Sequence, residues 1–371
     1  MNTHPMEAKL SEYLHNKAAR QHLPLSGTFE LTPLCNLQCK MCYVRMTRAE
    51  QEAISPLRTA EEWCTLAQTA RERGMLYLLL TGGEPFLRPD FREIYERVHA
   101  MGLLLSVNTN ATMITEETVR WLREKPPVRL NITLYGASNE TYARLCGNPE
   151  GFTQSTRAIR LLKDAGIGVK LSCSLTPYNC ADLEEMFAFA TREELIFQAT
   201  SYMFPPMRRD RGLIGTNDRF SPEDAAYYAA KIEALTIGRD RFFGTEPKAL
   251  HIPSECEETE GEPMRCRAGR TSFWVTWDGR LMPCGMIETE HAPNVFETGF
   301  DAAWKQACES VEAIRLPPEC KSCEAKGYCL NCAAAVMTES GCYHKRPRYR
   351  CLMTQAYPSQ HLRVQQELSK P

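Results

Sequence analysis

Two kinds of segment alternate over the first two-thirds of the chain. Short apolar runs have the composition of buried strands, and amphipathic stretches with helical spacing separate them. Six strands are predicted, over residues 28–32, 75–83, 103–110, 128–136, 169–175 and 196–204. Helices are predicted between them, over residues 57–74, 90–102, 115–124, 153–166 and 181–191, and a helix over 7–20 precedes the first strand.

Apolar strands that alternate with helices are typical of a parallel sheet covered by helices. The pattern therefore predicts an α/β fold with a barrel-like or an open sheet, and a partial (β/α)6 TIM-like barrel is the arrangement that we expect. In such folds the chemistry lies at the carboxyl ends of the strands. Four motifs fall at these ends, starting at Cys35, Gly82, Asn108 and Tyr135, so we expect them to meet on one rim.

The pattern changes after about residue 240. Strand–helix alternation stops, and ten of the 17 cysteines lie between Cys256 and Cys351. Residues 273–284 have the pattern of a β-hairpin with an Asp-Gly turn. The chain is therefore divided into four parts: an N-terminal helical extension (1–26), the barrel (27–240), a small cysteine-rich domain organised by metal (241–355) and a C-terminal tail (356–371).

Charge and hydropathy exclude several classes of protein. The net charge is −2, which gives no basic field for nucleic acid or an anionic membrane surface. The apolar runs are too short to span a bilayer, and the N-terminus has no secretory signal. We therefore expect a cytoplasmic protein whose cysteines bind metal in a reducing compartment instead of forming disulfides.

Cys35, Cys39 and Cys42 lie directly after the first predicted strand. Three thiolates can hold three irons of a four-iron cubane and leave the fourth iron open. An open coordination position is where metal sites perform chemistry. The alternative is a zinc loop, which needs a fourth ligand close by.

With its strand context, this C-x3-C-x2-C motif resembles the signature of the radical S-adenosylmethionine (SAM) superfamily. The resemblance implies that SAM binds the open iron and is cleaved to a 5′-deoxyadenosyl radical, which abstracts a hydrogen atom from the substrate. The segment TGGEP at 81–85 resembles the family motif that contacts the SAM amino group. Together, the segments after the second, third and fourth strands supply the implied SAM contacts: Gly82, Gly83, Glu84, Pro85, Ser106, Asn108, Asn110 and Arg144.

The later cysteines resemble the SPASM domain, which usually binds two auxiliary four-iron clusters. The resemblance implies that the nearer cluster is held by Cys256, Cys266, Cys284 and Cys332. It implies that the farther cluster is held by Cys320, Cys323, Cys329 and Cys351. Cys342 is an alternative to Cys351, and the spacing between Cys329 and Cys332 is one residue shorter than in the family. A zinc-ribbon array is the alternative to both clusters.

The resemblance implies a radical SAM oxidoreductase with three [4Fe–4S] clusters, a peptide or protein substrate and an electron donor such as flavodoxin or ferredoxin. Maturation of a ribosomally made peptide is expected. Anaerobic sulfatase maturation is disfavoured, because Gly285 stands where those enzymes typically have an aspartate. A small-molecule substrate stays open, as do an iron–sulfur electron carrier and a zinc-bound scaffold without catalysis.

The segment PPMRRDRG at 205–212 follows the sixth strand on the same rim. Its three arginines could bind a carboxylate or an acidic peptide. A solvated loop explains them equally well. Tyr135 and Tyr202 also lie near strand ends, where aromatic packing is the simpler interpretation.

Overall fold

The computed structural model describes residues 5–208, 212, 214–215, 218–245, 247, 260–287, 291–329 and 332–370. Within these residues one eight-stranded sheet runs in the order β6–β5–β4–β3–β2–β1–β7–β8. The strands are β1 Ser26–Glu30, β2 Tyr77–Thr81, β3 Leu104–Thr109, β4 Arg129–Thr133, β5 Val169–Ser174, β6 Ile196–Thr200, β7 Ser272–Val275 and β8 Leu281–Met282.

All six predicted strands are present, and neighbouring strands from β1 to β6 pair in parallel. The sheet does not close, because β6 and β8 are its two edges. This confirms the predicted α/β fold and partial barrel.

Helices cover the outer face of the sheet. Those of the first part of the chain are α1 Pro5–Arg20, α2 Arg48–Ile54, α3 Ala60–Glu72, α4 Phe91–Ala100, α5 Glu116–Glu124, α6 Asn139–Cys146, α7 Gly151–Asp164 and α8 Leu183–Arg192. The later ones are α9 Pro222–Ile237, α10 Arg239–Phe243, α11 Val295–Thr298, α12 Phe300–Glu312, α13 Lys326–Cys329, α14 Ala333–Ser340 and α15 Arg348–Leu368. None of these described helices is both long and apolar enough to pass through a bilayer.

The strands bury one face more completely than the other. Leu78, Leu80, Leu105 and Val107 are at most 1% exposed and belong to the main hydrophobic core. The alternate positions are less buried, and on β3 they include the polar residues Ser106 and Asn108, of which Asn108 lines the cavity inside the barrel. The strands thus alternate, as expected when one face packs on helices and the other surrounds a lumen.

The predicted hairpin belongs to the same sheet as the barrel. Its first strand, β7, pairs in parallel with β1, with Ser26 opposite Ser272 and Phe29 opposite Val275. Strand β8 then pairs antiparallel with β7. The cysteine-rich region therefore extends the barrel sheet beyond β1.

The predicted domain limits at 240/241 and 355/356 fall inside helices. The first divides α10, and the second divides α15, which continues through the predicted C-terminal tail to Leu368. Helix α15 packs along α9, and Val364 on α15 shares a small core with Ala230 and Phe242. Residues 356–368 thus form part of the packed structure.

Candidate active site and auxiliary cysteine sites

A cavity of about 430 Å³ lies at the carboxyl ends of the strands, within the size range of about 300–1,000 Å³ typical of small-molecule sites. The cysteine loop, the ends of five strands and the segments after β6 and β8 form its wall. The wall of this cavity includes Cys35, Cys39, Cys42, Tyr43, Gly82, Gly83, Asn108, Asn110, Tyr135, Tyr202, Met203, Phe204 and Met286. The predicted motifs therefore do meet on one rim.

Backbone hydrogen bonds hold the cysteine loop against the end of α6. The N–H of Gln38 donates to the carbonyl of Cys146 at 2.8 Å, and the N–H of Lys40 donates to Leu145 at 3.1 Å. The last carbonyls of a helix have no partner within the helix, so they are free to accept these bonds. Gly147 ends α6 in the left-handed conformation, with φ of 71°. The three thiols are thus placed by main-chain contacts.

Gly82 and Gly83 lie in the turn after β2 and allow it to pack directly on residues 32–34, which lead into the cysteine loop. The N–H of Gly83 donates to the carbonyl of Thr32 at 2.6 Å. A Cβ on Gly83 would lie 2.3 Å from the carbonyl oxygen of Leu34, and one on Gly82 would lie 2.6 Å from that of Thr32. Both glycines line the cavity. Only glycine permits this approach of two backbones.

Glu84 has a different place from the one that the sequence suggests. It is fully buried, does not line the cavity, and accepts hydrogen bonds from the Thr109 hydroxyl and the Asn110 N–H, both at 2.8 Å, and from the Phe86 N–H at 3.1 Å. Burial raises the pKa of Glu84 to about 7. Its carboxyl group therefore joins the ends of β2 and β3. Pro85 begins the short 3-10 turn that follows and is also buried outside the cavity.

The polar end of β3 contacts the cysteine loop. The amide of Asn110 donates to Asn36 Oδ1 at 3.0 Å and lies 3.8 Å from Cys35 Sγ. Asn108 lines the cavity and accepts from the amide of Asn131 at 2.9 Å. Ser106, lower on β3, is not part of the described cavity wall. Of the three predicted polar contacts, the structure brings Asn108 and Asn110 to the site.

Arg144 lies on α6 but points away from the cavity. Its guanidinium donates to the carbonyl of Tyr178 at 2.8 Å, and its side chain is 46% exposed. It is not part of the described cavity wall. The structure therefore places Arg144 beside the cysteine loop without directing it toward a ligand there.

Two side chains without a predicted role contact Cys39. Side-chain hydrogen bonds lower the pKa of Cys39; the one with Cys146 has the largest effect, and the one with Tyr135 has a smaller effect. Cys146 is fully buried at the end of α6. Burial raises the pKa of Cys35 to about 12. No sequence motif marks Cys146; only its position at the end of the helix that receives the cysteine loop could have identified it.

The later cysteines form two groups. Cys320, Cys323, Cys329, Cys332 and Cys351 line one compact cavity. Burial, and then the neighbouring thiols of Cys351, Cys329 and Cys323, raise the pKa of Cys320 to about 12. The structure thus brings together the four cysteines predicted for the farther cluster, and Cys332 lines the same cavity.

The second group contains Cys266, Cys284 and Cys332. Burial raises the pKa of Cys284, and the thiols of Cys332 and Cys266 add to the rise because they lie close by. Cys256, the fourth predicted ligand of this group, lies outside the described residues. Cys342 does not line the described part of either cavity.

The donor sets suit iron–sulfur clusters in their chemistry. Thiols are the ligands that such clusters take, and each group brings several thiols close together, with Cys266 of the second group exposed. Among the described residues, no three His, Cys, Asp or Glu side chains converge tightly enough to hold a single metal ion. The number of thiols in each group, and the cavity shared by those of the farther site, therefore favour clusters.

Comparison with known proteins supports the same assignment. The sequence model of the radical SAM superfamily matches residues 29–190, and that of the SPASM iron–sulfur cluster-binding domain matches residues 266–333. The AdoMet-dependent heme synthase of Methanosarcina barkeri is 26% identical, over 89% of this chain and 97% of its own. The antilisterial bacteriocin subtilosin biosynthesis protein AlbA of Bacillus subtilis is 27% identical, over 87% and 70%.

Among solved structures, Streptococcus suis SuiB bound to its precursor peptide SuiA has the same fold. Its TM-score is 0.66 at 18% identity, with 93% of this chain and 81% of that chain covered. The two domain matches, the unclosed parallel barrel and the relatives agree. The chain therefore belongs to the radical SAM superfamily and is a SAM-dependent oxidoreductase with a SPASM iron–sulfur domain.

Proposed function

We propose that this enzyme modifies a residue of a ribosomally made peptide, using one SAM-binding and two auxiliary [4Fe–4S] clusters. The observation that carries the proposal is the shared cavity, in which three thiols, two glycines of the β2 turn and two asparagines of β3 face each other. The names of AlbA and SuiB connect those relatives with a bacteriocin and a precursor peptide. A cross-link or another side-chain modification is the expected product.

Cys35, Cys39 and Cys42 would hold the cluster that binds SAM. When bound there, the cluster would supply the one-electron reduction that cleaves the sulfonium of SAM. The backbone at Gly82 and Gly83, with Asn108 and Asn110, would position SAM, since these groups face the cavity. Glu84 and Arg144 do not face it, so we assign Glu84 to holding the strand ends and give Arg144 no SAM contact.

The auxiliary clusters would use the two groups of thiols described above. Cys320, Cys323, Cys329 and Cys351 would hold the farther one. Cys266, Cys284 and Cys332 would hold the nearer one, with Cys256 as the fourth ligand that the SPASM resemblance implies. With all positions taken by thiols, these clusters would relay electrons and leave the substrate to the cavity.

The substrate half of the cavity is apolar. Met203, Phe204 and Met286 form one wall, and no charged side chain of the described residues lines the cavity. Methionine side chains adapt to irregular apolar groups. The reacting side chain is therefore expected to be uncharged, and the tyrosines of the wall are the groups that could accept or donate a proton.

The surroundings of Gly285 disfavour sulfatase maturation. A Cβ at this position would lie 3.0 Å from the ring of Trp274. An aspartate could fit only if that ring moved. The shift required is a few tenths of an ångström, so this contact favours glycine next to Cys284.

Oxidation of a small molecule is the second candidate. The match covers 97% of the heme synthase relative, so nearly the whole length of that relative has a counterpart in this chain. The polar inner face of the barrel would accommodate a soluble metabolite as well as a peptide.

The proposal is tested by anaerobic reconstitution. About twelve irons per chain are expected for three cubanes. Addition of dithionite and SAM should give 5′-deoxyadenosine, and flavodoxin or ferredoxin should replace dithionite. A short peptide encoded beside the gene should lose the mass of two hydrogens for each cross-link. Zinc in place of iron, with no 5′-deoxyadenosine, would contradict the proposal; turnover of a heme precursor but not of the peptide would favour the second candidate.

A further inference from the structure

The segment that follows β6 forms the cavity wall on the open side of the barrel. Tyr202, Met203 and Phe204 line the cavity, and the segment continues to Arg208. Strand β6 is one edge of the sheet and β8 is the other. The wall therefore crosses a gap where no strand pairing holds it, and its position must depend on side-chain contacts.

Arg208 fastens this segment to the opposite side of the gap. Its guanidinium donates to both carboxylate oxygens of Glu30, at 3.0 and 3.1 Å, and to the carbonyl of Gly285 at 3.2 Å. The side chains of Arg208 and Glu30 are only 7% and 0% exposed. The arginine is thus an internal tether instead of the solvated or substrate-binding residue that its sequence context suggests.

The two partners of Arg208 belong to the two cysteine loops. Glu30 ends β1, which leads into the loop of Cys35, Cys39 and Cys42. Gly285 directly follows Cys284. One guanidinium therefore joins the root of the SAM-cluster loop to the loop of the nearer auxiliary site.

Aromatic groups complete the contact. The indole N–H of Trp274 on β7 donates to Glu30 at 3.1 Å. The guanidinium also lies 5.4 Å from the ring centre of Tyr43, the residue after Cys42. Burial raises the pKa of Tyr43, and the thiols of Cys42 and Cys284 both add to the rise. The tether therefore lies between thiols of both sites.

A separate buried pair holds the same wall from the other direction. Arg219 donates to Glu339 of α14 at 2.7 Å and to the carbonyl of Met203 at 3.1 Å. The hydroxyl of Tyr202 also donates to Glu339, at 2.9 Å. Loss of Arg208 would therefore release one side of the wall and leave the other side attached.

A buried ion pair is seldom a net source of stability, because both charges lose their hydration. Its better-supported use is to specify geometry, and the planar fork of arginine does so more strictly than the ammonium of lysine. A charge in a buried, low-dielectric place also acts strongly on its neighbours. A guanidinium beside a cluster should stabilise the more negative, reduced state.

We propose that Arg208 is a positioning residue that closes the open side of the barrel and fixes the nearer auxiliary site relative to the SAM site. The inference rests on the proposed function, since it takes Cys284 as a cluster ligand. Arg208 also favours the reduced form of the nearer auxiliary cluster through its charge.

The experiment compares reconstituted wild-type protein with Arg208→Gln, Arg208→Lys and the double variant Glu30→Gln/Arg208→Gln. Hydrogen exchange of residues 202–208 reports on the wall, and redox titration followed by electron paramagnetic resonance reports on the auxiliary clusters. Arg73→Gln is the control. Arg73 directly follows α3 and forms an exposed ion pair with Asp301 of α12 through two hydrogen bonds.

In Arg208→Gln we expect exchange of the wall to be about tenfold faster and the midpoint potential of one auxiliary cluster to be lower. Arg208→Lys should keep the wild-type potential, because lysine keeps the positive charge. Its wall should still exchange hydrogen faster, because lysine lacks the planar guanidinium that binds two oxygens at once. In the double variant the wall should also exchange hydrogen fast, because the ion pair is absent. Its midpoint potential should return toward the wild-type value, because Glu30 no longer leaves an unpaired carboxylate near the cluster. If Arg208→Gln does not fold, hydrogen exchange in the lysine and double variants carries the test of the positioning role.

Wild-type exchange of the wall in the folded Arg208 variants would overturn the positioning role, and a wild-type potential in Arg208→Gln would overturn the role of the charge. The same changes in Arg73→Gln would overturn both. Failure of the proposed function is visible separately. It would appear in the wild-type protein itself, as missing iron or missing 5′-deoxyadenosine, before any variant is compared.

Discussion

The barrel site and the farther auxiliary site differ in how much open space surrounds their cysteines. Around Cys35, Cys39 and Cys42 the cavity measures about 430 Å³ and extends to strand ends and an apolar wall. Around Cys320, Cys323, Cys329 and Cys351 it measures about 30 Å³. The first has room for a ligand beside a cluster, and the second does not.

The support of the two sites differs as well. The barrel loop is held by backbone bonds to α6 and by the glycine turn after β2, none of which needs a metal. The farther site lies between the short helices α13 and α14 and the start of the long helix α15, next to small residues such as Ala325, Ala335 and Val336. An open site with its own scaffold suits exchange of SAM, and a closed site suits a permanent structural or electron-transferring cluster. We therefore propose chemistry at the first site and electron relay at the second.

The largest expected effect comes from removing the open site. In Cys35→Ala/Cys39→Ala/Cys42→Ala, 5′-deoxyadenosine formation should be lost, while iron should fall from about twelve to about eight per chain. The auxiliary thiols occupy separate cavities and should load normally. Iron analysis and chromatography of the nucleoside measure both. Cys308→Ala is the control, because that thiol is buried against the core on α12; loss of all iron in the triple variant would show that the sites are not independent.

A smaller effect is expected from the closed site. Cys351→Ser should lose about four irons and reduce product formation, yet retain some SAM cleavage, because the open site is intact. Cys342→Ser is the matched variant and should behave as wild type, since Cys342 lies outside the described cavity walls. Iron content and product yield distinguish the two. The reverse result, with Cys342→Ser losing the iron, would exchange their roles.

The smallest effect concerns the scaffold of the open site. Gly83→Ala introduces a methyl group 2.3 Å from the Leu34 carbonyl, which should destabilise the protein by about 1–3 kcal/mol and weaken retention of the SAM cluster. Gly244→Ala is the control, because its methyl group meets nothing closer than 3.4 Å. Thermal unfolding and iron retention measure the difference. Equal stability of the two variants would show that the glycine turn does not support the loop.

Much of this architecture could be predicted from local patterns. Strand and helix positions depend on which residues are apolar and at what period, and that information is local. The same holds for Cys35, Cys39 and Cys42, whose spacing is itself the signal. The division of the later cysteines into two sets came from the resemblance, and the structure brings seven of those eight thiols together as two groups.

The sequence by itself determined the element order, the alternation of parallel strands with helices and the clustering of thiols, because periodicity and spacing encode them directly. Only the tertiary structure decided the direction of individual side chains: Glu84 turns into the strand junction, Arg144 turns to Tyr178, and Arg208 turns inward to Glu30. It also decided that β7 joins β1 across a long stretch of chain. These outcomes depend on contacts between residues far apart in sequence, whose balance of burial, charge pairing and space no local pattern contains.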